Sequence, residues 1–139
     1  MNCYVFELKS KLSETEILEC FEFMKSYLIS IYGEEAISEQ NFLVWKSNIE
    51  KINKNRYFIK ISKEKETCGY AQISITENNT LYFGDIIIKE SMRRTRVVYE
   101  FVKYVLNLEE FKHFEEIYLL INKNNKNFLY YLCNFKQQF

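Results

Sequence analysis

Proline is missing from this 139-residue chain, glycine occurs only 3 times and histidine once. Without clustered glycines neither a Walker-type phosphate loop nor a dinucleotide-binding Gly-x-Gly-x-x-Gly turn can be written, because both need backbone that a side chain would obstruct. His113 is the single candidate for a histidine metal site or a Cys-His or Ser-His relay, and its place after Glu109 and Glu110 reads as a solvated loop. The cysteines, Cys3, Cys20, Cys68 and Cys133, nowhere form the Cys-x-x-Cys spacing of a zinc or redox site, so they read as buried thiols and no metal is expected. No stretch approaches the ~20 apolar residues of a bilayer span, and no basic segment leads into an apolar run at the start. The expectation is a soluble, cytoplasmic protein with no membrane partner. Lys+Arg and Asp+Glu balance at 19 each, which gives no reason to expect a nucleic-acid partner.

What is present is an ordinary globular balance, 47% hydrophobic and 27% charged, with 17% aromatic residues. The length suits one domain over residues 1–139. Tyr4–Leu8 reads as a short strand. Ser13 and Glu16 have the spacing of a capping box, and Ile17, Cys20, Phe21, Met24, Leu28 and Ile31 follow on one helical face, ended by Gly33. A second helix starts near Ser38, with Phe42, Trp45, Ile49 and Ile52 facing inward and Trp45 in the core. The period then shortens to that of strands at Tyr57–Ile61, Cys68–Ile75 and Leu81–Ile88, joined by polar turns, which predicts an antiparallel meander. The apolar run Ile86–Ile88 places the third of these strands inside the sheet. A helix follows with Val97, Val98, Phe101, Val102, Val105 and Leu106 inward, then a strand at Ile117–Ile121, parallel to 81–88, and a short helix over 128–135. The fold class is α+β with a mixed sheet: an antiparallel meander followed by a parallel β-α-β unit.

Three of the chain's four arginines, Arg93, Arg94 and Arg96, fall between the buried strand and the next helix. A helix N-terminus offers unpaired amides and partial positive charge, and guanidinium groups add ionic hydrogen bonds, so this turn suits a phosphate or pyrophosphate. The plain alternative is a solvated basic turn, which the helix dipole disfavours because cations at that end are destabilising.

This order of elements, with a basic turn after the central strand, resembles the GNAT superfamily of N-acetyltransferases. There the corresponding turn reads Arg/Gln-x-x-Gly-x-Gly/Ala and its amides hold the pyrophosphate of acetyl-coenzyme A. In Arg93-Arg94-Thr95-Arg96-Val97-Val98 the first position is Arg93, and the two small positions carry Arg96 and Val98. Cys68-Gly69-Tyr70 resembles the family's Gly-aromatic start of the second meander strand. Asn124 to Phe135 resembles its final Asn-x-x-Ala-x-x-Leu-Tyr-x-x-x-Gly-Phe segment, with Asn134 in place of glycine.

The resemblance implies an acetyl-CoA-dependent N-acetyltransferase that acts on a primary amine, with a non-catalytic binding module on the same fold as the alternative. Cofactor contacts are implied for the backbone of Ile86 and Ile88, for Arg93, Arg94, Thr95, Arg96, Val97 and Val98, and for Asn124. Tyr130 or Tyr131 is implied as the acid that protonates the departing thiolate, Tyr130 by its offset from Asn134; packing residues of an aromatic core are the other reading. The family's early-strand glutamate falls at Tyr82, so a water is the expected base, with Asp85 either a structural acceptor or a base on the opposite side of the strand by simple alternation. The acceptor, a small molecule or peptide amine, is expected near the first two helices around Tyr32 and Trp45. The chain ends four residues after Phe135, short of the family's closing strands, and a homodimer through the edge next to Ile117–Ile121 is expected.

Overall fold

The structure is a computed structural model that describes residues 4–93, 95–112, 114 and 117–119, with backbone alone for Asp85 and 117–119. Among the described residues five strands form one sheet in the order β1-β2-β3-β4-β5: β1 Tyr4–Lys9, β2 Arg56–Lys63, β3 Glu66–Ile75, β4 Leu81–Ile88 and β5 Ile117–Leu119. The first four pair antiparallel, and β4 pairs parallel to β5 over Leu81–Phe83 and Ile117–Leu119. The expected meander, the internal position of β4 and its parallel neighbour are therefore present.

Helix α1, Glu14–Tyr32, starts at the anticipated capping box: the Glu16 amide donates to Ser13 Oγ at 3.2 Å and the Ser13 amide to Glu16 Oε1 at 2.9 Å. Two otherwise orphaned amides are thereby satisfied. Gly33 ends the helix with φ of 84°, its amide donating to the Ile29 carbonyl at 2.9 Å. Helix α2, Glu39–Glu50, is capped by Ser38 Oγ, which accepts from the Asn41 amide. Its far end is closed by Arg56, whose guanidinium donates to the carbonyls of Asn48, Ile49 and Lys51. The β2–β3 turn places Glu64 and Lys65 at φ of 53° and 68°, the left-handed pair that a two-residue hairpin demands and that glycine or asparagine would adopt at less strain.

Helix α3, Val97–Leu106, packs Val97, Phe101, Val102 and Val105 onto one face of the sheet, against Ile59, Ile61, Ala71, Ile73, Leu81, Phe83 and Ile88. Phe101 is centred 5.8 Å from the Phe83 ring. On the other face Ile17 and Cys20 of α1 meet Leu12, Phe58 and Tyr70, with Trp45, Ile49 and Ile87 packed alongside. Two helical expectations need correction. Ile31 is 44% exposed and Ile52 98% exposed. The buried positions of α1 end at Met24, because a 19-residue helix is ~28 Å long and its last turns carry Tyr27, Ile31 and Tyr32 in the open. Ile52 lies beyond the end of α2, so its helical spacing places it on no face. Trp45 is half-buried, at the margin of the core.

Candidate active site

The site is organised by an irregularity in β4. Along β3 and β4 the pairing runs Ala71 with Ile86, then Ile73 with Phe83, so Gln72 stands opposite both Gly84 and Asp85. One extra residue in β4 is a β-bulge, which bends the strand and resets which side chains share a face. Leu81, Phe83, Ile86 and Ile88 all join the α3-side core, whereas Ile87 packs on the α1 side. Simple alternation through Asp85 therefore does not hold, and the bulge is the reason. Gly84 is suited to this place: a Cβ there would sit 3.3 Å from the Gln72 carbonyl oxygen.

Beyond the bulge β4 continues to its last rung, where the Lys89 amide donates to the Cys68 carbonyl at 2.7 Å. Gly69 is required here, since a Cβ would lie 2.3 Å from the Ile87 carbonyl oxygen. The chain then makes a short 3₁₀ turn at Glu90–Met92, which no sequence pattern announces, and α3 begins at Val97 with Arg96 as its cap residue. Lys89 pairs with Glu66; the hydrogen bond and charge of each push the Lys89 ammonium up and hold the Glu66 carboxyl down.

The basic turn is more constrained than its composition implied. Arg93 is half-buried, its Nε donating to the Ile88 carbonyl at 3.1 Å and one Nη to the Phe23 carbonyl of α1 at 3.4 Å. Its guanidinium braces the loop against α1, a role that sequence spacing did not show. It also engages the Ile88 carbonyl, one of the main-chain groups expected along the cofactor arm. Thr95 Oγ1 donates to the Met92 carbonyl at 2.6 Å, lies 3.4 Å from the Val97 amide, and receives the Tyr4 hydroxyl at 3.4 Å. Thr95 thus ties the loop to β1.

Arg96 is 69% exposed at its side chain; it lies 3.9 Å from Glu100 and its guanidinium carbon sits 4.6 Å from the centre of the Tyr99 ring. It is directed along the helix to its own next turn. Val97 is buried in the core and Val98 is half-buried. The Glu100 amide donates to the Arg96 carbonyl at 2.9 Å, and the Val98 amide belongs to the first turn of α3, where amides precede any acceptor within the helix itself. Arg94, Asn124, Tyr130 and Tyr131 lie outside the described residues, as do His113, Cys3 and Cys133. Tyr82 is half-buried on β4, paired across to Ser74 on β3 and to Tyr118 on β5. Cys20 and Cys68 are buried thiols in no disulfide, as expected, and burial pushes the Cys68 thiol up.

On the α1 side Tyr70 is buried and its hydroxyl donates to Glu19 Oε1 at 2.6 Å. Burial, then the Glu19 carboxylate, pushes this phenol well above its ordinary range, so it stays protonated. Among the described residues no group of histidine, cysteine or carboxylate side chains is placed to hold a metal, and no helix is long and apolar enough to cross a membrane.

No family profile and no curated protein sequence matches this chain. Solved structures do. An integron cassette protein from the mobile metagenome of V. cholerae superposes with a TM-score of 0.69 at 14% identity, over 94% of this chain and 83% of that one. An aminoglycoside acetyltransferase from an uncultured soil metagenomic sample, solved with sisomicin, superposes with a TM-score of 0.64 at 14% identity, over 94% and 86% of the two chains. An aminoglycoside N-acetyltransferase in complex with CoA gives a TM-score of 0.60 at 12% identity, over 93% and 84%. The fold is that of the GNAT N-acetyltransferases: a mixed α+β sheet whose antiparallel meander leads into a parallel β-α-β unit.

Proposed function

We propose that this protein is an N-acetyltransferase that takes its acetyl group from acetyl-CoA and delivers it to a primary amine. The observation that carries this reading is the Gly84–Asp85 bulge in β4, the strand that has β5 as its parallel neighbour and leads to the start of α3. The acetyltransferases that share the fold, one solved with sisomicin and one with CoA, support it.

The residues present fit the cofactor. Arg96 and Val98 stand where the family has small residues, yet the Arg96 side chain is turned toward Tyr99 and Glu100, along the helix. The Val98 amide and the α3 dipole would hold the pyrophosphate, Arg94 would add charge, and Asn124 would contact the cofactor. The backbone at Ile86 would meet the pantetheine arm. When bound, acetyl-CoA supplies an activated acyl carbonyl that a neutral amine can attack. The chain's part is to orient that amine, to take up the proton it loses and to protonate the sulfur that leaves. Tyr130, or Tyr131 beside it, is the proposed acid. Tyr82 stands at the start of β4 where the family places a carboxylate, so the amine proton passes to water. An edge-to-edge homodimer beside β5 remains part of the proposal.

The test is calorimetric titration with acetyl-CoA and with CoA, followed by a thiol-release assay over a set of amines. Micromolar binding together with amine-dependent thiol release supports the reading. No binding at millimolar ligand makes the protein a non-catalytic binding module on a GNAT fold.

A further inference from the structure

On the α1 side of the sheet, Phe58, Tyr70 and Ile87 form an apolar floor under α1 and α2. The floor changes character at the bulge. Gln72 and Ser74 of β3 and Tyr82 of β4 follow one another on this same face: Ser74 pairs directly with Tyr82, and Gln72 is two residues along the strand from Ser74. All three are half-buried, and among the described residues none of their side chains makes a hydrogen bond, an ion pair or a ring contact. The Gln72 stem lies over the bulge, since a Cβ on Gly84 would stand 3.6 and 3.7 Å from its Cβ and Cγ. Behind Gln72 a gap of about 10 Å³ is lined by Trp45, Ile49, Phe58, Tyr70 and Ile87 among others, so the indole of α2 forms one wall.

We infer that Gln72, Ser74 and Tyr82, with Trp45 beyond Gln72, are the acceptor seat of the enzyme, and that it takes a hydroxyl-bearing amine of the amino-sugar kind. The inference rests on the acetyl-transfer reading, with the reacting carbonyl placed beside the bulge. The chemistry follows from the inventory. One carboxamide gives both donor and acceptor, an alcohol and a phenol give two more groups of either sense, and an indole offers a flat apolar face. No charge is among them, and Arg56, which lies on this face across from Ser74 and over Phe58, already donates to the carbonyls of Asn48, Ile49 and Lys51, so the groups left to an acceptor are uncharged. The Gln72 oxygen is suited to a neutral amine N–H, the two hydroxyls to a polyol edge and Trp45 to the C–H face of a ring. A purely aliphatic amine would leave the two hydroxyls without partners.

The test uses the full chain in amide NMR spectra, with the Gln72 side-chain NH₂ pair identified by its loss in Gln72→Leu. Glucosamine is the probe and hexylamine its counterpart without hydroxyls, each titrated with and without saturating CoA. The expected result is a shift of the Gln72 pair with glucosamine but not with hexylamine. Glucosamine affinity should fall about tenfold in Gln72→Leu and severalfold in Tyr82→Phe, and be unchanged in Leu43→Ser on the exposed side of α2. A Gln72 pair that glucosamine leaves in place, or that hexylamine moves as far, overturns the seat even when CoA shifts the amides of β4 and α3. If CoA shifts nothing while glucosamine still moves Gln72, the amino-sugar binding at these three residues stands and the acetyl-transfer reading, with the acceptor role, falls.

Discussion

Removing the Arg93 guanidinium separates two roles that the sequence alone merges. By position Arg93 is a phosphate ligand; by structure it ties the loop after β4 to the Ile88 carbonyl at 3.1 Å and to α1 through the Phe23 carbonyl at 3.4 Å. A hydrogen bond from a charged donor contributes about 1.5–3 kcal/mol, and the longer contact adds little. The side chain is only half-buried, so water takes back part of what is lost. Arg93→Ala should therefore cost about 1–2 kcal/mol, which for a chain of this size lowers Tm by roughly 3–8 °C. Urea denaturation read by circular dichroism measures the first quantity and a thermal melt the second. CoA affinity by calorimetry, measured well below the melting range, should change less than about threefold. An unchanged midpoint together with a tenfold loss of CoA affinity would refute the bracing argument and return Arg93 to the phosphate.

Glu16 is buried and lies 3.3 Å from Lys9 and 3.4 Å from Lys60. Burial works to raise its carboxyl, but the Ser13 amide, Lys9 and the Ser13 hydroxyl together outweigh it and hold the group below the ordinary carboxylate value. A depressed folded-state value means stability that is present above the unfolded value near ~4.3 and is lost as pH falls through the folded one. Glu16→Gln should therefore be less stable than the parent by about 1–2 kcal/mol at pH 7, with the gap closing below about pH 4 in urea melts. Phe101→Ala, at a side chain with no exposure between Phe6 and Phe83, should lose about 3–5 kcal/mol in the same assay. Gly69→Ala forces a Cβ against the Ile87 carbonyl and should cost about 1–3 kcal/mol, with faster hydrogen exchange at the Lys89 amide as its local signature.

Much of the architecture was legible in the residue order, because it depends on local rules. Ser13 and Glu16 announce their capping box at a fixed spacing, and Gly33 accepts a positive φ that other residues avoid. The change of period from helix to strand near Tyr57 foretold the meander, and the apolar run at Ile86–Ile88 foretold an internal strand. The balance of charge and the scattered cysteines and single histidine likewise follow from the composition.

The site was only partly legible, since its defining features are relations between strands and loops distant in sequence. A bulge exists only when two strands are paired: Gly84 looks like any strand glycine until Gln72 is found facing both it and Asp85. That one extra residue reset the faces of β4 and left Gln72 lying over the glycine. Three arginines in a row of four positions signalled an anion, but 70 residues separate Arg93 from the Phe23 carbonyl that it binds. Likewise 51 residues separate the Tyr70 hydroxyl from Glu19. By itself the sequence determined which segments become helix or strand and what order they take, because hydrophobic period and caps act over a few residues. Only the tertiary structure decided which polar groups of those segments are bonded to one another, because hydrogen-bond partners are chosen across the folded core.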